Sequence, residues 1–127
     1  MSSYEDQIKN DYIVRDVDEY QSLTNRTAIY PGAGSGELQG VTYVTLGLVG
    51  ESGEIAEKVK KIIRDSGGEI SNEKAESIAM ELGDVLWYAA RLATELGFNL
   101  SEVMTWNVQK LLDRKARSVL GGSGDAR

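Results

Sequence analysis

Glu51 and Glu54, followed further along by Glu81 and Asp84, are the residues of this chain whose types and spacing could do chemistry. Each pair stands at i, i+3, and with about 3.6 residues per helical turn each projects from one face of its helix. Like charges so placed repel, and the pair is mildly costly unless water solvates it or a cation bridges it. Glu51 and Glu54 interrupt the apolar series Leu48, Ile55, Val59, and Glu81 and Asp84 are interleaved with Ile78, Leu82 and Val85. Two helices packed antiparallel through those apolar residues would bring all four acids to one pocket at the edge of the core. Four carboxylates without imidazole form a hard oxygen site that favours Mg2+, or Mn2+ in its place, over zinc or copper. The rival reading is a non-catalytic helical adaptor or regulator whose acids are solvated surface.

Composition narrows the chemistry further. The 127 residues include no histidine and no cysteine. Thiolate nucleophiles, disulfides, imidazole shuttles and ordinary zinc sites are therefore excluded. The di-iron carboxylate bundle is excluded too, because its Glu-x-x-His pair cannot be built. With 20 acidic against 14 basic residues the net charge is −6, which argues against nucleic acid or a membrane surface as partner. A small anionic substrate remains possible if a cation links it to the acids. Hydrophobic residues at 41% and charged residues at 27% describe a globular chain, read here as one domain over 1–127. The uncharged run 39–50 is too short to span a bilayer. The start of the chain lacks a basic segment followed by an apolar stretch, so a cytoplasmic location is expected.

The elements that must position the acids are helices. Residues 16–30 read as a first helix, with Asp16 as cap, Glu19 three residues on, and Val17, Tyr20 and Leu23 on one face. Residues 1–15 read as an N-terminal arm. Pro31-Gly32-Ala33-Gly34-Ser35-Gly36 marks a Gly-rich loop, taken as 31–41. Residues 43–64 follow helical period through Val44, Leu48, Ile55, Val59 and Ile62, and end among Lys58, Lys60, Lys61 and Arg64. Ser66-Gly67-Gly68 stops that helix. Ser71 or Asn72 caps a third, whose core face is Ile78, Leu82, Val85, Leu86, Ala89 and Ala93, closing at Gly97. Ser101 is expected to cap a fourth, which carries Val103, Val108, Leu111 and Leu112. Residues 119–127 read as a flexible tail. The fold class is all-α, resembling a four-helix bundle. Gly47, Gly50, Gly53 and Gly83 cluster beside the acids at a cost of about 1 kcal/mol each in a helix interior. They point to a close approach by another backbone or a ligand.

The segment Leu46-Gly47-Leu48-Val49-Gly50-Glu51-Ser52-Gly53-Glu54-Ile55-Ala56-Glu57-Lys58, followed by Glu81-Leu82-Gly83-Asp84-Val85-Leu86-Trp87-Tyr88, resembles the MazG-like nucleotide pyrophosphohydrolases of the all-α NTP pyrophosphatase superfamily. Their pattern is Glu-x-x-Glu, a variable spacer, then Glu-x-x-Asp. The resemblance is to the short, single-domain bacterial and phage type. It implies that Glu51, Glu54, Glu81 and Asp84 coordinate Mg2+, which carries a nucleoside triphosphate and helps activate the water that attacks its α-phosphorus. A nucleoside monophosphate and pyrophosphate result. Glu54, or else Glu51, is the candidate general base. The resemblance also implies that Asn107 and Lys110 reach substrate, with Asn107 near metal or sugar and Lys110 on phosphate. It further implies a homodimer or homotetramer.

Lys58 and Arg114 join the candidate phosphate ligands, although basic residues at helix ends are also ordinary complements of the dipole. Asn107 shares a face with Val103 and Leu111, where a buried amide needs a partner. Trp87, Tyr88 and Trp106 offer stacking surfaces for a nucleobase or, equally, core and interface packing. Trp87 is the foremost of these. Arg26, Thr27 and Gln39 are candidates for base contacts, and Arg127 for a phosphate.

Overall fold

The computed structural model describes residues 12–118 and 121. Among them it is all-α: α1 (Val17–Thr24), a single 3₁₀ turn (Asn25–Thr27), α2 (Leu38–Asp65), α3 (Asn72–Glu95) and α4 (Leu100–Ala116). The expected arm (1–15) and tail (119–127, with Arg127) lie almost wholly outside the described residues.

α1, α3 and α4 begin where a side chain satisfies one of the first N–H groups, whereas α2 opens at Glu37 without a side-chain cap. Asp16 caps α1 by accepting from the Glu19 N–H at 2.8 Å, and the Glu19 carboxylate accepts in return from the Arg15 N–H at 3.4 Å. The helix expected over 16–30 ends at Thr24, however. Thr24 turns its hydroxyl onto the Gln21 carbonyl (2.6 Å). The short polar residues Asn25 and Thr27 then favour local hydrogen bonding over another helical turn. α2 starts at Leu38, five residues before the expected Tyr43, because nothing after Gly36 breaks a helix. Ser71 caps α3, accepting from the Lys74 N–H at 3.2 Å. The cap of α4 is Asn99 rather than Ser101, and Glu102 accepts from the Asn99 N–H at 3.3 Å.

α2 and α3 form an antiparallel hairpin. Gly40 lies against Glu95, Gly47 against Tyr88, and Lys58 against Ser77, so the pairing runs in opposite directions along the two helices. The reversal uses Gly67 and Gly68 at φ +60 and +83, backbone that a side chain would strain. α1 and α4 pack on α3, joined by buried Gln21. Its amide donates to the Thr94 hydroxyl and the Phe98 carbonyl, each at 3.0 Å, and accepts from the Leu100 N–H at 2.7 Å.

The apolar core is small. Among the described residues Tyr30, Val44, Ile62, Ala90 and Ala93 are its fully buried members. Leu82 and Leu86, expected in the core, are 49% and 50% exposed, and Val103, Val108, Leu111 and Leu112 of α4 are exposed as well. The apolar stripe of α3 is wider than α2 can cover, and α4 meets the bundle along only part of its length. No described helix is long and apolar enough to cross a membrane.

Candidate metal centre

The hairpin seam brings Glu51 of α2 together with Glu81 and Asp84 of α3. Each offers a carboxylate oxygen, and these oxygens lie within 4.8 Å of one another. Glu51 and Glu81 are half-buried and Asp84 is exposed. Glu54, one turn beyond Glu51, stands outside this cluster on an exposed part of α2, although its charge is felt at Glu51. At about 100° per residue, a step of three places it roughly 60° around the helix from Glu51, off the seam.

The electrostatics are those of an anionic cluster that wants a cation. Burial pushes the Glu51 carboxyl up from its ordinary value, and the hydrogen bond to Glu81 and the charges of Asp84, Glu81 and Glu54 push the same way. Glu81 is held below the usual range, chiefly by its hydrogen bond to Lys58. The Lys58 ammonium lies 2.9 Å from Glu81 Oε1 and donates to the Ser77 hydroxyl (2.7 Å) and carbonyl (3.2 Å). A side-chain cation thus stands beside the cluster. The donors are all hard carboxylate oxygens, and Mg2+ or Mn2+ fits such a set.

The glycines sort into two kinds. A Cβ at Gly47 would come within 2.1 Å of the Tyr88 ring, so that glycine lets the aromatic lie across α2 one turn from Glu51. At Gly50, Gly53 and Gly83 a Cβ would meet nothing within 4 Å. Among the described residues no backbone approaches those positions, and the helix flanks beside the acids are open.

The other candidate residues are distributed as follows. Trp87 donates its indole N–H to the Thr27 hydroxyl (2.9 Å) and meets Tyr30 and Tyr88 edge-on. Two phenols sense the acids: burial foremost, then the charges of Tyr43, Glu51 and Asp84, raise the pKa of Tyr88, and burial followed by the charge of Asp84 raises that of Tyr20. Asn107 and Lys110 are exposed on α4, so the expectation of a buried Asn107 amide fails together with the burial of Val103 and Leu111. Arg114 is buried (3% exposed). Trp106 packs edge-on against Phe98.

Sequence reasoning missed a second carboxylate, that of Glu95. Buried at 4% exposure, it accepts from the Tyr30 hydroxyl (2.5 Å) and the Gly34 N–H (2.6 Å) on Oε1, and from the Gly36 N–H (3.0 Å) on Oε2. Arg91, also buried, reaches the Tyr30 hydroxyl (3.1 Å) and the Thr24 hydroxyl (3.3 Å) and lies 4.0 Å from Glu95. The loop glycines Gly32, Gly34 and Gly36, all at positive φ, wrap this carboxylate. The available signal was Arg91 and Glu95 at i, i+4 inside the apolar run Ala89, Ala90, Leu92, Ala93, Leu96.

Comparison with known proteins accords with this architecture. A family model described as the MazG nucleotide pyrophosphohydrolase domain matches residues 39–118, which include α3, α4 and nearly all of α2. The Gene 37 protein of Mycobacterium phage L5 is 54% identical over 112 residues, covering 87% of this chain and 98% of the phage protein. No solved structure matches the chain.

Proposed function

Because the chain belongs to the MazG nucleotide pyrophosphohydrolase family, we propose that it is a Mg2+-dependent hydrolase that converts nucleoside triphosphates, deoxynucleotides among them, to monophosphate and pyrophosphate. The observation that carries this reading is the convergence of Glu51, Glu81 and Asp84 on one seam within the matched region. These three, with Glu54 completing the set from the open flank, would hold the metal. Once bound, such an ion neutralises phosphoryl oxygens and lowers the pKa of water.

The chain's own residues supply positioning and proton transfer. A water oxygen bonds to the α-phosphorus, and the bond from that phosphorus to the α,β-bridging oxygen breaks. The bonding pair leaves with pyrophosphate, and a carboxylate oxygen of Glu54 takes the water's proton and passes it to solvent. Glu54 suits that role because it is exposed beside the cluster and free of the ion pair that engages Glu81. Lys58, Asn107 and Lys110 are the candidate phosphate and sugar contacts, Arg114 being buried away from solvent, and Trp87 or its neighbour Tyr88 is the candidate base contact.

The single chain leaves Leu46, Val49, Ile63, Met80, Leu82 and Leu86 exposed on the hairpin and Met104, Trp106, Val108 and Leu112 on α4. So much apolar surface beside so small a core supports a homodimer or homotetramer. Light scattering on a size-exclusion column tests the assembly, and a dilute active monomer would contradict it. For the reaction, pyrophosphate release from a panel of nucleotides is compared between the wild type and Asp84→Ala. Equal rates would sink the assignment of the site. Thermal melts with and without Mg2+ separate an enzyme from a helical adaptor, since specific binding to the folded state raises the midpoint.

A further inference from the structure

Beyond the acid cluster, the hairpin changes character toward the α2–α3 turn. A cavity of about 200 Å³ opens there, with Lys58, Lys61, Lys74, Ser66, Ser77 and Asp65 around an apolar floor of Ile62, Ile78 and the lysine stems. Lys58 belongs to both places, since its ammonium is in this cavity wall and 2.9 Å from Glu81. Lys74 enters from the first turn of α3 and donates to the Ser66 hydroxyl. Asp65 is bound two-pronged by Arg64 at 2.7 Å on each oxygen, Glu57 pairs with Lys60 at 2.8 Å and Lys61 at 3.7 Å, and Glu69 lines the adjoining hollow with Lys74 and Ser66.

The opposite end of the hairpin, residues 38–50 of α2 and 85–95 of α3, carries no lysine. One turn before Glu51 it is Tyr88 over Gly47, then Tyr43 stacked on Tyr30 at 5.0 Å, beside an apolar hollow formed by Pro31, Leu38, Thr42 and Leu46. Acids therefore separate an aromatic end from a cationic one. Along α2, Glu54, Lys58 and Lys61 follow at i, i+4, i+7 on one side of the helix, about 10 Å from first to last at 1.5 Å per residue. That length suits a polyphosphate chain that starts at the carboxylates.

We propose that the lysine cavity at the hairpin turn is a binding site for the terminal phosphates of the substrate and for the pyrophosphate that leaves. This rests on the hydrolase reading above and gives it a direction, with the reacting phosphorus at the acids and the leaving group toward Lys61 and Lys74. Ammonium groups suit this role because they act as point charges that release a product readily.

The test uses inorganic pyrophosphate as the probe on the full chain in buffer with EDTA, where binding is independent of hydrolysis. Calorimetric titration of the wild type is compared with Lys61→Met and with the double variant Lys61→Met/Lys74→Met. Pyrophosphate is expected to bind the wild type and to bind the double variant at least tenfold more weakly. In turnover, KM for the triphosphate should rise while inhibition by the monophosphate stays constant. If Lys74→Met loosens the hairpin, the single Lys61→Met variant, whose other partner is surface Glu57 at 3.7 Å, still reads a several-fold loss. No binding to the wild type, or equal binding to all variants, would overturn the proposal and leave the lysines as solvated helix ends. Lysine-dependent pyrophosphate binding in a protein that cleaves no triphosphate would instead uphold the cavity and overturn the hydrolase reading.

Discussion

Two carboxylate sites a few turns apart on α3 have opposite fates. Glu95 is buried, and burial alone would raise its pKa, yet the Tyr30 hydroxyl, the Gly34 and Gly36 N–H groups and Arg91 together pull it below the ordinary value. Glu51 is far more open, yet burial, a hydrogen bond to Glu81 and three neighbouring acids push it up. The first carboxylate is satisfied by the protein and pins a loop. The second is left short of positive charge. A buried anion given donors is structure, whereas partly exposed anions given each other repel and favour a cation between them.

Breaking the satisfied site should cost the most. Glu95→Ala removes the acceptor of three hydrogen bonds and leaves Arg91, 2% exposed, without its counter-charge. Removing one partner of a buried ion pair costs about 3–5 kcal/mol, and urea denaturation should show a loss of that size. A loss under about 1 kcal/mol would mean that the loop holds itself.

At the open site activity should fall instead of stability. Asp84→Ala and Glu51→Ala remove candidate metal ligands, and a bound metal stabilises the transition state by several kcal/mol. At 1.36 kcal/mol per tenfold, pyrophosphate release should drop at least about 100-fold in each. Glu51→Gln sharpens the contrast. Measured in EDTA, it should raise the melting temperature by a few degrees through relief of repulsion, a modest gain because solvent screens this half-exposed cluster. In Mg2+ it should lose the metal-induced rise in melting temperature. A metal-free destabilisation like that of Glu95→Ala would erase the distinction between the two sites.

The contrast also explains what the sequence made legible. The two acidic pairs stood out because i, i+3 spacing beside apolar stripes is a local pattern, and their antiparallel meeting follows from the short turn at Gly67 and Gly68. That Glu54 stands off the seam while Glu81 and Asp84 both reach it depends on the rotation of each helix about its axis, which apolar spacing fixes only loosely. The role of Glu95 was hidden for another reason. Its partners come from Tyr30 and a glycine loop some sixty residues away in the chain, and from α3 alone Arg91 and Glu95 look like an ordinary surface ion pair. The exposed Leu82, Leu86 and Asn107 were misplaced because periodicity marks an apolar face without saying whether this chain or a second copy covers it.

The smallest effect is the pH dependence, and it divides the two sites by sign. Glu95, with its pKa lowered in the folded protein, contributes stability that is full above the ordinary carboxylate range and is lost as pH falls through its lowered value. Glu51, with its pKa raised, contributes stability that is full below the ordinary range and is lost as pH rises through its raised value. Metal-free protein melted across a pH series should therefore be most stable between the two, weakening toward strong acid through Glu95 and the other lowered carboxylates and, more gently, as pH rises through the raised value of Glu51. Glu51→Gln should remove only the upper slope, because the amide has no proton to lose. Glu95→Gln should shrink only the acid one, the remainder of which belongs to Glu81, Asp65 and Glu57, whose carboxyls Lys58, Arg64 and Lys60 also hold low. Saturating Mg2+ should also flatten the upper slope, because a cation supplies the charge that the proton on Glu51 otherwise provides. If the upper slope persists in Glu51→Gln, the repulsion lies elsewhere on the acidic surface and the open cluster is not the place where this protein lacks a cation.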